Sequence, residues 1–217
     1  MRAPIRLIAI AVFIFTLTLP CAASFAQDTI GEVTSLSGAA TLERGGSEVA
    51  LVLLMPIRVR DTIRTDAKSE ITITLSDGSK LVLSESSSCT IDQYSMTATA
   101  RRQGSIGLLG GHLRAIVNTM GGAVPDFQVH TPNATAAVRG TEFETAYIAG
   151  RPCPEDRSCL RYTTVGVLHG VVAVANVSNP ARAVLVTEGY ETTVACEAPA
   201  TSPAPLGMEE MGAPGYH

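Results

Sequence analysis

Apolar and polar residues alternate with a period of two along most of this chain, which is the pattern of half-buried β-strands. The alternation runs from Thr29 to Ala195, and turn residues interrupt it about every 8 to 12 positions. A helical period is hard to find over the same range. The pattern therefore predicts an all-β fold of many short strands, arranged as a solenoid-like stack or an elongated β-sandwich.

The clearest local prediction is a β-hairpin formed by residues 71–75 and 79–83. A three-residue loop, 76–78, sets Ile73 opposite Leu81 and keeps the apolar residues of both strands on one face, whereas a two-residue loop does not. The last loop residue is a glycine, as a left-handed bulge position requires. Two weaker predictions are a polar passage without strands over 84–102 and a Gly-Gly turn at 121–122.

Residues 1–26 are predicted to be a secretory signal peptide. Two arginines precede an apolar stretch, 7–19, that is shorter than the roughly 20 residues needed to span a bilayer. Small residues place the cleavage site after Ala26. A lipid-modified Cys21 is the weaker interpretation, because Pro20 precedes it directly. We therefore expect a periplasmic or secreted protein with no membrane span in the mature chain.

Four cysteines remain after cleavage: Cys89, Cys153, Cys159 and Cys196. An even number in an oxidising compartment indicates disulfides, and three pairings are possible. Sequence separation favours Cys153 with Cys159 across a polar loop, which leaves Cys89 for Cys196. The spacing of the first pair is not that of zinc ligands, and the histidines are scattered, so no metal site is expected.

Charge and composition limit the partners. The net charge is −4 and becomes −6 without the two leader arginines, and no basic run exceeds two residues, which argues against a nucleic-acid partner. Aromatic residues make up only 5% of the chain, so platforms for sugars or bases are not expected. From residue 197 onward the chain is rich in Pro, Ala and Gly. We predict a folded domain over 27–196 and a disordered tail over 197–217.

Four segments of the sequence resemble the FecR domain family. Residues 127–143 read FQVHTPNATAAVRGTEF and are similar to the family core F-x-V-x-T-P-x-A-x-x-x-V-R-G-T-x-F. Residues 61–79 are similar to its G-D-x-I-x-T and D-G-S run, 110–115 to its G-x-x-R-A segment, and 164–174 to its V-x-V-L-E-G-x-V-x-V strand pair. Arg60 stands where the family usually has Gly, and His169 where it often has Glu. The resemblance covers most of residues 29–195.

The resemblance implies a stand-alone, exported, all-β domain that binds another envelope or secreted protein, uses no cofactor and catalyses nothing. The best-known members are transmembrane anti-sigma regulators with a cytoplasmic segment before the membrane span. Here the domain begins where the predicted leader ends, so the iron-signalling role is not carried over whole. The alternative is a structural scaffold of the envelope or cell surface. No catalytic motif such as G-x-S-x-G or H-E-x-x-H occurs in the sequence.

Arg139, Gly140 and Thr141 are the candidate binding residues, from the R-G-T part of the motif. Gly140 suggests a bulge or a close backbone approach. An arginine within an apolar stretch needs an internal partner, and the donors of Arg139 can bind a backbone carbonyl or a carboxylate such as Glu142 or Glu144. We therefore predict that Arg139 is a structural tie rather than a recognition residue.

Overall fold

A computed structural model of the chain describes residues 29–97, 101–119, 127–154 and 156–207, apart from the side chain of Arg102. The predicted signal peptide and the predicted turn at 121–122 lie outside these ranges. The described residues form 17 strands and no helix. None of them therefore forms a helix that could cross a membrane. The all-β prediction is confirmed.

The strands in chain order are β1 (Thr29–Ser37), β2 (Ala40–Arg44), β3 (Ser47–Ala50), β4 (Pro56–Arg58), β5 (Thr62–Thr65), β6 (Glu70–Leu75), β7 (Lys80–Leu83), β8 (Ser88–Met96), β9 (Arg101–Ile116), β10 (Phe127–His130), β11 (Ala134–Val138), β12 (Glu142–Ala149), β13 (Arg161–His169), β14 (Val171–Asn176), β15 (Val184–Thr187), β16 (Tyr190–Ala195) and β17 (Ala204–Pro205).

The long strand β9 belongs to two ladders at once. Up to Gly110 it pairs with β8 and, in parallel, with β10; from Gly111 to Ile116 it pairs with β7 and β12. We call the ladder β4-β1-β6-β7-β9-β12-β13-β16-β17 sheet A and the ladder β3-β2-β5-β8-β9-β10-β11-β14-β15 sheet B. Gly111 has a φ of +80°, and a Cβ there would overlap with Ser87. A glycine is therefore required where β9 changes sheets.

One hydrophobic core lies between the sheets. A single cluster of buried side chains contains Ile73 and Leu81 from sheet A together with Ile106, Leu108 and Phe127 from sheet B. The two ladders therefore cover each other's apolar faces, as in a β-sandwich. The described strands are joined through β9 into one 17-stranded sheet.

The β6–β7 hairpin has the predicted register. Ile71 lies opposite Leu83 and Ile73 opposite Leu81, and all four side chains are buried. Gly78 has a φ of +79°. The odd loop length and the glycine thus place both apolar faces on the core side, as the sequence predicted.

The prediction of a strandless passage over 84–102 is wrong. Strand β8 occupies the middle of it, with Cys89 and Ile91 fully buried and Ser88 and Thr90 facing outward. The alternation is present in the sequence, but small polar residues occupy the outward positions and weaken the hydrophobic signal.

The predicted domain end at residue 196 is also wrong. Strand β17 pairs with the start of β16, and the Thr192 hydroxyl donates to the Thr201 carbonyl over 2.8 Å. The Asn176 amide donates to the carbonyl of Ala198 over 2.9 Å. Residues 197–207 therefore belong to the folded domain, because side chains of the preceding strands satisfy their main-chain groups. Residues 208–217 lie outside the described ranges.

Candidate functional site

The Asp-Gly-Ser motif forms a buried polar network between the β6–β7 turn and β9. The Asp77 carboxylate accepts the Ser79 N–H and hydroxyl over 2.9 Å each and forms an ion pair with Arg101. Arg101 also donates to the Asn118 carbonyl over 3.2 Å and lies 5.1 Å from the centre of the Phe127 ring. The charged side chains of both partners have 0% exposure. This motif therefore holds the fold and offers nothing to a ligand.

A second motif residue, Asp61, is also structural. Its carboxylate binds the Arg44 guanidinium in two hydrogen bonds of 2.7 and 2.6 Å and accepts the Arg58 N–H over 2.7 Å. Asp61 is buried. Arg60 precedes it with a left-handed φ of +72°, which explains why the family usually has a glycine at this position.

In the R-G-T segment the backbone at Gly140 lies close to Thr119, and the neighbouring Arg139 is exposed. Gly140 has a φ of +61°, and a Cβ there would overlap with Thr119 Oγ1. Thr141 is buried, and its carbonyl accepts the Val117 N–H over 2.8 Å. The close approach predicted at Gly140 is present. Arg139 is exposed, and no hydrogen bond or ion pair to it exists among the described residues.

The predicted contact of Arg139 with Glu142 or Glu144 is therefore wrong. Both carboxylates lie beside Arg114: Nε donates to Glu142 over 2.9 Å, and Nη1 lies 3.8 Å from Glu144. The reason is strand register, since β9 and β12 place Arg114 directly opposite Glu144, whereas Arg139 precedes the turn at Gly140. The signal for Arg114 was in the sequence, as the arginine of the G-x-x-R-A segment.

Arg114 lines a cavity of about 170 Å³ on the outer face of sheet A. Glu70, His112 and Glu144 are also in its wall. Burial raises the pKa of Glu144, with Arg114 acting in the opposite direction and Glu142 adding to the rise. Burial also lowers the pKa of His112, which Glu85 partly offsets. The cavity is small and polar, and its arginine is already engaged by carboxylates of the same sheet.

A Ser-His-Asp cluster that the sequence did not indicate lies on the outer face of sheet B. His130 Nε2 is 3.0 Å from Asp92 Oδ2, and its Nδ1 is 3.4 Å from the Ser105 hydroxyl. Gly107 lies between the pair, and its missing Cβ leaves the space that they occupy. Burial raises the pKa of Asp92. Ser105 is itself buried, whereas His130 and Asp92 are each more than one-third exposed.

The predicted disulfide pairs are wrong. Cys159 is bonded to Cys196, with their Cα atoms 5.9 Å apart, while Cys89 and Cys153 are buried free thiols. Cys89 faces the core from β8, where burial raises the pKa of its thiol to about 12. Cys196 instead follows β16 and packs in a separate small cluster with Cys153 and Cys159.

In the described part of the chain, no three His, Cys, Asp or Glu side chains form a metal site.

Strand β3 is an open edge of sheet B. It pairs with β2 on one side, and all four of its residues are exposed. The Leu51 N–H donates to the Ala40 carbonyl over 2.9 Å, so this pair and every second pair along the ladder are hydrogen-bonded. By that alternation, the main-chain groups of Glu48 and Ala50 point away from β2. Within the described part of the chain, no strand pairs with these groups, and another strand would bind to them.

An apolar turn continues directly from this edge. Val52, Leu53 and Leu54 are exposed, with Leu54 at 65%, and Val49 of β3 is exposed beside them. Leu54 has a left-handed φ of +63°, a conformation that costs a side-chain-bearing residue roughly 1–2 kcal/mol. The run of apolar residues without polar alternation was visible in the sequence, but its exposure was not predicted.

Solved structures similar to this chain include two crystal structures of a proposed anti-sigma factor from Parabacteroides distasonis, at 2.50 and 1.65 Å resolution. Their TM-scores are 0.46 and 0.45 at 20% identity, covering 62% of this chain and 54% of each crystal chain. This chain thus spans about half of those structures. A cell surface anchoring domain is 32% identical over 28% of this chain and 82% of its own, with a TM-score of 0.28.

No curated protein sequence matches the chain. The model of the FecR protein family matches residues 61–173, which is just over half of it. That range contains Asp61, the Asp-Gly-Ser network, Arg114 and the R-G-T segment, and most of the strands that build the two sheets around β9. The chain belongs to the FecR family.

Proposed function

We propose that this FecR-family chain is an exported, non-enzymatic module that binds an extended segment of another envelope or secreted protein. The observation that carries the proposal is the open edge of β3 with the exposed apolar turn beside it. Monomeric proteins usually protect such edges, and an edge left open next to apolar side chains is suited to strand addition.

The edge supplies the main-chain part of the interaction. An added strand would pair with the outward N–H and C=O groups of Glu48 and Ala50, and these hydrogen bonds do not depend on the partner's side chains. Glu48 contributes a negative charge on the edge, which favours a partner segment that carries Lys or Arg at the facing position.

The turn supplies the side-chain part. Leu53 and Leu54 are more than half exposed, so covering them would remove apolar surface from water at roughly 25 cal/mol per Å². Apolar surface buried beside a paired edge favours a partner whose extended segment is itself apolar. The exposed Arg139 lies in the R-G-T motif of the same domain and is a second contact available to a larger partner.

The sharpest test blocks the edge without breaking the sheet. In Ala50→Pro the lost N–H points outward, so the β2–β3 ladder keeps its hydrogen bonds. A photo-reactive amino acid at position 53, in cells of the native host, should give one discrete adduct in the parent protein. The adduct should disappear in Ala50→Pro and be outcompeted by unlabelled parent protein. The matched control places the same probe at Leu185, an exposed leucine on β15 at the other edge of sheet B.

Each alternative has its own result. A continuous smear of adducts with envelope polymer would support the scaffold function and contradict strand addition. An adduct that persists in Ala50→Pro, or that forms equally from position 185, would show that the β3 edge is not the binding site. Export is tested separately: the mature protein outside the cytoplasm should begin at Gln27, and an uncleaved protein in the cytoplasm would contradict it.

A further inference from the structure

We infer that Cys153, Cys159 and Cys196 form a thiol–disulfide exchange site, in which Cys159 alternates between two partners. The three residues lie in one small cluster, separate from the main core, together with Ala195 and Tyr162. Two of them are bonded and the third is a buried thiol. The fourth described cysteine, Cys89, lies in the main core and takes no part.

The geometry brings Cys153 opposite Cys159. The Cys153 N–H donates to the Cys159 carbonyl over 2.9 Å, and the Gly150 N–H donates to the Leu160 carbonyl over 2.8 Å. Cys153 and Cys159 also pack in the same small cluster, so the two residues are neighbours in space. A disulfide requires Cα atoms within about 7 Å of each other, and neighbours of this kind can meet that requirement.

The exchange conserves sulfur, electrons and protons. The Cys153 thiol gives its proton to solvent, and the resulting thiolate attacks the Cys159 sulfur. A Cys153–Cys159 bond forms, the Cys159–Cys196 bond breaks, and the Cys196 thiolate takes a proton from solvent. One disulfide and one thiol are present before and after, so the step needs no oxidant or reductant.

The two forms differ in how they hold the C-terminal segment. In the Cys159–Cys196 form, Cys196 has a left-handed φ of +43°, a conformation that an L residue adopts at an energetic cost. After exchange, hydrogen bonds from the amides of Asn133 to the Val194 carbonyl and Asn176 to the Ala198 carbonyl, 2.8 and 2.9 Å, would hold this segment without a covalent tie. Cys196, half-buried in the present form, would then carry a free thiol.

Loop length favours the alternative bond before the fold is complete. Cys159 and Cys196 are 37 residues apart, whereas Cys153 and Cys159 are separated by 6. Closing the shorter loop is favoured roughly 15-fold by chain entropy alone. Both cysteines of the short loop also precede Cys196 in the chain, so the short-loop disulfide can form first and be exchanged when β16 is in place.

The test maps disulfides in the exported protein, residues 27–217. Folded protein is incubated with a trace of reduced glutathione, trapped with acid and N-ethylmaleimide, and digested. We expect both the Cys159–Cys196 and the Cys153–Cys159 peptides, within about tenfold of each other. The Cys89 peptide is quantified separately as a reference. A single linkage that never changes on incubation would overturn the inference.

Two variants test the same site independently. Cys196→Ser, refolded with glutathione disulfide, should form the Cys153–Cys159 bond, and Cys153→Ser should hold the Cys159–Cys196 bond alone. Cys153 and Cys159 both remaining alkylatable in a folded Cys196→Ser protein would also contradict exchange. If Cys196→Ser fails to fold, mapping of the parent protein decides the question. Hydrogen exchange over 196–206 should be faster in the short-loop form.

Discussion

The Asp77 carboxylate and the Arg101 guanidinium form an ion pair that solvent does not reach. Asp77 belongs to the Asp-Gly-Ser motif of the β6–β7 turn, and Arg101 begins β9, the strand shared by both sheets. Asn118, just after β9, closes the same network by donating its N–H to the Ser79 hydroxyl over 3.0 Å. The family motif here connects a hairpin to the central strand.

Asp77→Asn should destabilise the protein by about 3 to 5 kcal/mol, because it removes the carboxylate charge from a buried ion pair with Arg101. Urea unfolding followed by circular dichroism measures the loss. Glu43→Gln is the control: its partner is Arg64, both side chains are more than two-fifths exposed, and the change should cost less than about 0.5 kcal/mol. Equal effects of the two substitutions would contradict the role of burial.

Gly140→Ala should cost about 2 to 4 kcal/mol, because it combines a left-handed backbone with a Cβ that overlaps Thr119. Gly150→Ala is the matched control, since Gly150 has a φ of +78° but open space around the added Cβ, and should cost about 1 to 2 kcal/mol. Thr119→Ala combined with Gly140→Ala should recover part of the extra loss of stability that Gly140→Ala shows over Gly150→Ala. Thermal unfolding of the two single variants and the double variant measures this recovery. No recovery would argue against the contact with Thr119.

Arg60→Gly should stabilise the protein by about 0.5 to 1 kcal/mol. Glycine removes the cost of the left-handed φ at position 60, and the greater freedom of the unfolded chain offsets only part of that gain. Arg58→Gly, in strand β4, should destabilise the protein. Chemical denaturation of the pair checks the sign, and a destabilising Arg60→Gly would mean that the side chain makes a contribution that the backbone argument omits.

The contribution of His112 to the stability of the protein should fall as pH decreases from about 7 to 5. Burial holds the pKa of His112 below the ordinary value of about 6.5, so the unfolded state binds the proton more tightly than the folded state. This contribution is at most about 1.4 kcal/mol per pH unit.

His112→Asn should therefore flatten the pH dependence of the unfolding free energy between pH 5 and 7. At pH 8 the imidazole is neutral in both states, so the offset between variant and parent there gives the packing effect of the substitution alone. An unchanged slope below pH 7 would contradict the effect assigned to burial of His112. Denaturant titrations at four pH values are sufficient.

The sequence predicted those features that depend on local periodicity and turn chemistry. The register of Ile73 against Leu81 followed from alternation and an odd loop, and both act within a dozen residues. Strand β8 was missed because its outward residues are small and polar, and the buried pair Cys89 and Ile91 is too short a signal alone.

The site was predicted less well, because its contacts join residues distant in sequence. The sequence suggests Glu142 as a partner of Arg139, three residues away, but Glu142 binds Arg114, which is 28 residues away and adjacent only through the β9–β12 register. The sequence likewise predicts the nearest cysteine, Cys153, as the partner of Cys159, which is bonded to Cys196 instead. Sequence proximity is a poor guide to side-chain pairs here, because half of the pairings between described strands, such as β9 with β12, join strands that are not consecutive in the chain.

Strand β9 is the strand through which the two halves of the domain are hydrogen-bonded to each other. In both ladders, the described strands that precede β9 lie on one side of it and those that follow lie on the other. Without β9, each half would therefore have an unpaired strand edge where β9 now binds. A proteolytic cut near Gly111 should therefore not release two surviving half-domains. The described domain should therefore unfold in a single cooperative transition. A pulling force between its two halves is carried by the 16 residues of β9.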